Sequence, residues 1–276
     1  IMGAYVPGTL IGPAFGSEYL LAKTEIVAEE IQQEEDNYVA ALEWGEANGA
    51  DVVNSSLGYL DWYSYCDMDG NTAVTTIGVD IAARLGLACV TSAGNWANED
   101  LPEDPCESLS YYISAPADAD SVIAVGAVSA DSLIVYFSSK QPSYDGRIKP
   151  EVCALGVGVA AANPSGGYSV FYSGTSASSP LVAGAAAVLL SANPQWTNME
   201  VREALMMTAS QADTPNNDYG YGLVNIWSAI FYNYSGSTIP PQRPASYSLN
   251  TAYPNPFNPA VTLSISMARA SLVTID

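Results

Sequence analysis

Gly174-Thr175-Ser176-Ala177-Ser178-Ser179-Pro180 runs directly into an apolar stretch, Leu181-Val-Ala-Gly-Ala-Ala-Ala-Val-Leu-Leu190. The second part reads as a buried core helix and the first as its beginning. A serine at the start of such a helix stands among backbone N–H groups without helical partners, at the positive end of the helix dipole. An attacking hydroxyl and a developing oxyanion are both served there. Pro180 is expected in the first turn of the helix, where proline is tolerated. A serine that merely caps a helix would look the same locally, so the surroundings have to decide.

Working outward, apolar strands alternate with helices. Strands are expected at Tyr19–Lys23, Val52–Ser55, Leu87–Thr91 and Ser121–Val128, and Tyr168–Tyr172 reads as the return arm of a hairpin after Gly166-Gly167. Helices are expected over Asp36–Asn48, closed by Gly49, and from a cap at Asn71 to Arg84, closed by Gly86. Ser176–Ala192, Met199–Ala209 and Val224–Phe231 are three more. Gly3–Gly8 reads as a loop. Buried β-branched strands between helices predict an α/β fold with a mostly parallel sheet covered on both faces. The longest apolar run, Leu181–Ala192, falls short of the ~18 to 20 residues of a membrane span.

Charge narrows the function. Asp and Glu number 29 against 8 Lys and Arg, a net charge of −21. No clustered cations offer themselves to nucleic acid or to an anionic membrane. Two acidic runs, Glu25–Asp36 and Glu99–Glu107, read first as surface charge and second as a preference for cationic substrates. Histidine is absent from all 276 residues. This excludes, within these residues, histidine-ligated metals and a histidine general base. Four cysteines, at 66, 89, 106 and 153, lack metal-binding spacing. Cys89 and Cys153 lie in apolar, strand-like stretches and are expected free and buried. Cys66 and Cys106 lie in polar loops, either as a disulfide or as two thiols. Asp67-Met-Asp69-Gly70-Asn71 could hold calcium but lacks the EF-hand spacing, so a turn is the expectation. No cofactor is implied with certainty, and a structural calcium ion stays open.

With Ser176 and its flanks on the page, the chain resembles the subtilisin-like serine peptidases, the subtilases. Four further segments resemble that family in order. Asp51-Val-Val-Asn-Ser-Ser-Leu-Gly58 is similar to its central strand and substrate-pairing segment, with Ser56, Leu57 and Gly58 in the pairing positions. Ser92-Ala93-Gly94-Asn95 is similar to its oxyanion-hole turn, with Asn95 as amide donor and Ser92, Ala93 and Gly94 expected to bind substrate. Phe137-Ser-Ser with Gly146-Arg-Ile-Lys-Pro150, and Tyr219-Gly-Tyr-Gly-Leu-Val-Asn225, complete the set. The resemblance implies a subtilisin-like three-layer fold and hydrolysis of a polypeptide substrate. Ser176 Oγ would attack, Asn95 and the Ser176 N–H would hold the oxyanion, and no metal would take part.

The family also uses an aspartate and a histidine, both upstream of a segment like Gly12–Lys23. The expectation is therefore that the acid–base half precedes Ile1, and that these residues alone are inactive or nearly so. A catalytically dead, peptide-binding or cell-surface protein on the same fold is the alternative. Sedolisins share the serine motif and need no histidine, but they use a Glu-x-x-x-Asp pair, which this sequence lacks.

A linker is expected over 235–246, separating a partial catalytic domain, 1–234, from the start of a C-terminal β-sandwich, 247–276. Val261–Ser266 alternates as a strand does. Tyr253-Pro-Asn-Pro-Phe-Asn-Pro259 resembles the opening of type IX secretion sorting domains, which implies a secreted or cell-surface bacterial protein that meets a secretion machinery through this region.

Overall fold

Four parallel strands form the centre of the molecule in the computed structural model, which describes residues 1–97, 106, 113–163, 165–232, 248–249 and 265–266. In chain order the elements are β1 (Tyr5–Val6), β2 (Leu10–Ile11), α1 (Gln33–Ala47), β3 (Val52–Ser55), α2 (Val74–Arg84), β4 (Ala88–Ser92), β5 (Ile123–Val128), β6 (Val152–Leu155), β7 (Val159–Ala162), β8 (Tyr168–Tyr172), α3 (Thr175–Ala192), α4 (Asn198–Met207), α5 (Ile226–Ile230), β9 (Ser248–Leu249) and β10 (Ile265–Ser266). The central sheet has the order β3-β4-β5-β6, with Val52 beside Ala88, Val90 beside Ile123 and Val125 beside Val152.

The period-two alternation of these strands makes the layers. Cys89 and Ala124 point into one core, with Tyr38 and Leu42 of α1 and Val79 and Ala82 of α2. Val90, Ile123, Val125 and Val152 point into the other, with Val182, Ala186 and Leu189 of α3 and Val201 and Leu205 of α4. This is the expected three-layer α/β fold. Helix α3 is long and apolar enough to cross a bilayer. It packs instead across all four strands, with most of its length buried.

Several expectations are corrected. Tyr19–Lys23 is not a strand, and Leu21 is 86% exposed. Among the described residues no strand lies beside it, and an apolar run without a ladder partner has nothing to make it extend as a sheet. Gly3–Gly8 is not all loop, because Tyr5–Val6 pairs with Leu10–Ile11. Asn71 does not cap α2. Asp69 accepts from the N–H groups of Asn71 and Thr72 and closes a turn there. The helix starts at Val74, whose N–H donates to the Tyr63 hydroxyl, while the Thr75 N–H donates to the buried Glu35 carboxylate. Pro180 is the sixth residue of α3, in its second turn rather than its first. The strand-like stretch around Cys153 is β6.

The hairpin of β7 and β8 forms as read. Of the expected strand Val261–Ser266, Ile265–Ser266 pairs antiparallel with Ser248–Leu249, and 261–264 lie outside the described residues. The acidic run Glu99–Glu107 lies outside them as well, apart from Cys106.

Candidate active site

Ser176 is the second residue of α3, and the helix begins there because of Gly174. That residue has φ 135°, a backbone conformation that L side chains rarely adopt. A Cβ added at Gly174 would stand 3.6 Å from Asn95 Nδ2 and 3.6 Å from the Ser176 nitrogen. The glycine thus keeps open a space bordered by the Ser176 nitrogen and by the Asn95 amide, whose Oδ1 stands 3.7 Å away. Neither the Ser176 N–H nor Asn95 Nδ2 donates a hydrogen bond to any described residue.

Asn95 follows Ser92-Ala93-Gly94 at the end of β4, and its side chain is held from behind. The N–H of Thr175 (2.9 Å) and its hydroxyl (3.1 Å) both donate to Asn95 Oδ1. With the oxygen engaged, the NH₂ group is left for a ligand. The Gly94 N–H donates in turn to Thr175 Oγ1 at 3.2 Å. The Gly94 carbonyl accepts from the Ser139 N–H, and Ala93 links to β5 through the Val125 carbonyl. A side chain at Gly94 would crowd Ser139 Oγ.

Ser56-Leu57-Gly58 leaves the C-terminal end of β3 beside Ser176. Ser176 Oγ donates to the Ser56 carbonyl at 3.2 Å, and Ser56 Oγ donates to the Ser176 carbonyl at 3.0 Å. That carbonyl is open because Pro180, four residues on, has no N–H to give it. Ser92 Oγ donates to the Leu57 carbonyl at 3.3 Å, which ties this segment to β4. Gly58 is exposed, and a side chain there would run into Ser114 Oγ. No described residue accepts a hydrogen bond from the Leu57 or Gly58 N–H.

The structure therefore brings Ser176, Asn95, Ser56, Leu57, Gly58, Ser92, Ala93 and Gly94 to one end of the sheet. It adds Thr175, Asn54, Ser179, Ser139 and Ser114, which the sequence reading missed. Their partners lie 80 residues or more away along the chain in the cases of Thr175, Asn54 and Ser179, so no local pattern could have marked them. None of the hydrogen bonds made by Ser176, Ser56 or Asn95 among the described residues involves a titratable group.

Metal ligands are a separate matter. Asp67 accepts from the Ser64 N–H and hydroxyl, and Asp69 closes its own turn. The Asp67–Asn71 stretch is thus a turn, as expected. Among the described residues one carboxylate group, Glu25, Glu30 and Glu34, brings its oxygens within 4.8 Å of one another. Desolvation, followed by the charges of Glu34, Glu25 and Asp61, pushes the Glu30 carboxyl up. Glu25 also accepts from the Tyr59 hydroxyl at 2.8 Å.

Cys66 and Cys106 form a disulfide, and Cys89 and Cys153 are free and buried. Burial pushes both thiols up to about 12. Neither can act as a thiolate nucleophile near neutral pH.

The sequence matches Peptidase_S8, the subtilase family, over residues 8–222. It is 36% identical over 191 residues to subtilisin amylosacchariticus of Bacillus subtilis subsp. amylosacchariticus, covering 69% of this chain and 44% of that protein. It is 37% identical over 191 residues to the subtilisin of Bacillus pumilus, covering 69% and 60%. The chain thus spans roughly half the length of the curated relatives it matches. Among solved structures, the self-cleaved protease domain of PatA aligns with a TM-score of 0.67 at 23% identity, over 83% of this chain and 79% of that one. The prenylagaramide maturation protease PagA aligns with a TM-score of 0.57 at 26% identity, over 73% and 68%. A match over most of the chain, with the same fold in both proteases, settles the classification: the chain belongs to the subtilase family.

Proposed function

We propose that residues 1–234 are the nucleophile and oxyanion part of a serine endopeptidase domain that hydrolyses polypeptides through an acyl-enzyme on Ser176. The observation that carries this is the space in front of Gly174, bordered at 3.6 Å by Asn95 Nδ2 and the Ser176 nitrogen. A carbonyl carbon attacked by Ser176 Oγ would leave its oxygen there, between two donors that have no partner among the described residues. An extended substrate would lie along Ser56–Gly58, where the Leu57 and Gly58 N–H groups, without acceptors among the described residues, would add it as a strand. Ser92, Ala93 and Gly94, which lead into Asn95, are read with Ser56–Gly58 as substrate-binding residues.

The chemistry lacks one part. Ser176 Oγ needs a base, none of its hydrogen bonds among the described residues reaches a titratable group, and with no histidine among the 276 residues the base is read as lying outside them. These residues alone would therefore have at most residual activity. The C-terminal stretch, 247–276, joined through the linker 235–246, is read as the start of a sorting-type β domain. On that reading the protein is secreted or displayed at a bacterial cell surface, and this stretch meets the secretion machinery. The test is turnover of a peptide substrate by the complete polypeptide that contains this chain. Hydrolysis that disappears in Ser176→Ala supports the reading. Hydrolysis that persists in Ser176→Ala contradicts it. Peptide binding without any hydrolysis by the complete polypeptide would favour the dead-fold alternative.

A further inference from the structure

Ser176 and the Ser56–Gly58 segment meet through a closed ring of polar side chains. Ser56 Oγ donates to the Ser176 carbonyl at 3.0 Å, and Ser176 Oγ donates to the Ser56 carbonyl at 3.2 Å. On β3, Asn54 Nδ2 donates to Ser56 Oγ at 3.5 Å. On α3, Ser179 Oγ donates to Asn54 Oδ1 at 2.9 Å. The ring closes through the helix itself, because Ser179 stands three residues after Ser176 on the same face.

The donors in this ring follow one another in one direction. Ser179 is buried, and its hydroxyl donates to the Asn54 amide oxygen. That turns Asn54 Nδ2 towards Ser56, whose hydroxyl accepts there and keeps its own hydrogen for the Ser176 carbonyl. Pro180 leaves the helical bond to that carbonyl unmade, and Ser56 takes its place. Without Asn54 the Ser56 hydroxyl is free to rotate. Without Ser179 the Asn54 amide is free to flip.

We propose that Asn54 and Ser179 are positioning residues for the peptide hydrolysis assigned above. They fix how far the nucleophile stands from the segment along which the substrate lies. This rests on the proposed function. Neither residue touches the substrate or the reacting atoms. Substrate affinity is left to the main chain of Leu57 and Gly58 and should survive their loss, whereas the attack distance should not.

The experiment is steady-state hydrolysis of a chromogenic peptide by the complete polypeptide, comparing wild type, Asn54→Ala, Ser179→Ala and the double variant. Each single variant is expected to lower kcat about 10-fold or more, towards the ~100-fold that a 1 Å misplacement costs, with KM near the wild-type value. The double variant is expected to be little worse than either single one, because both break the same ring. Thermal unfolding of each variant separates this from loss of the folded protein. An unchanged kcat in folded Asn54→Ala and Ser179→Ala overturns the inference, and so does a loss confined to KM. Losses that multiply in the double variant overturn it as well. If the wild type itself shows no Ser176-dependent turnover, the proposed function falls and takes this inference with it. Wild-type turnover with insensitive variants removes the inference alone.

Discussion

Pro180 stands four residues after Ser176 in α3, and the carbonyl it cannot satisfy is the one that Ser56 Oγ holds at 3.0 Å. A proline in the second turn of a buried helix removes a backbone bond. Here the vacancy is filled from the segment that follows β3, so the helix that carries Ser176 is fastened to the strand end beside it. Ser56→Ala should then cost about 1 kcal/mol, the worth of one hydrogen bond. In a Pro180→Ala background the restored helical N–H takes over the Ser176 carbonyl, and the cost of Ser56→Ala should shrink. Thermal unfolding of the four proteins of this cycle reads the difference. Equal costs in both backgrounds would show that Pro180 and Ser56 are not coupled.

The Asn95 side chain is oriented by Thr175, and two substitutions separate its two ends. Asn95→Asp keeps an oxygen for the Thr175 N–H and hydroxyl but loses the NH₂ donor. In the complete polypeptide it should melt close to wild type and lose kcat as severely as Asn95→Ala. The expected loss of transition-state stabilisation is about 2.7–4 kcal/mol, a value established for subtilisin itself rather than obtained from the distances above. A change confined to KM would mean that Asn95 binds substrate and does not stabilise the oxyanion.

Away from the site, Glu151 holds a buried cation. Lys149 is fully buried, and its Nζ donates to Glu151 Oε1 and to the Ala119 carbonyl, each at 2.8 Å. Arg202 reaches the same carboxylate oxygen at 2.9 Å. Glu151→Ala strands the ammonium and should cost about 3–5 kcal/mol. Lys149→Met leaves Glu151 paired with Arg202 and the Ala124 N–H, and should cost much less. Burial, only partly offset by Glu151, holds the Lys149 pKa below its ordinary value. The unfolded chain therefore binds that proton more tightly. Relative to Lys149→Met, the wild type should gain stability as pH rises from the depressed pKa to the ordinary one, and show a constant difference below both. Denaturant unfolding of the pair across that range checks the sign.

The cysteines give a chemical count. With Cys66 and Cys106 joined and Cys89 and Cys153 buried, the native protein should show no reactive thiol. Unfolding without reductant should expose two thiols, and unfolding with reductant four. The disulfide joins residues 40 apart, and in the chain-entropy view such a link is worth about 4 kcal/mol. Reduction should lower the unfolding temperature accordingly. Four thiols after unfolding without reductant would contradict the pairing.

How much of this could be read from the sequence follows from range. Helix α3 and the serine before it lie in one continuous stretch, and the hairpin of β7 and β8 is announced by Gly166-Gly167, so both were legible. The Tyr19–Lys23 run has the composition of a strand, but pairing is a property of a neighbour that composition does not contain. Asn71 has the chemistry of a cap. The start of α2 is instead set by Tyr63 and Glu35, 11 and 40 residues from the groups they receive. In the site, Ser176 and Asn95 stand out in their own segments. Thr175 and Ser179 acquire meaning from partners brought 80 to 125 residues across the chain, and Asn54 joins Ser179 to its near neighbour Ser56.

The central claim is that Ser176 is a nucleophile once a base is supplied. The most direct measurement is mass spectrometry of the complete polypeptide after treatment with a fluorophosphonate. The account predicts one phosphonyl adduct, on the peptide that contains Ser176, and none in Ser176→Ala. An unmodified Ser176, or an adduct that persists in Ser176→Ala, would contradict it.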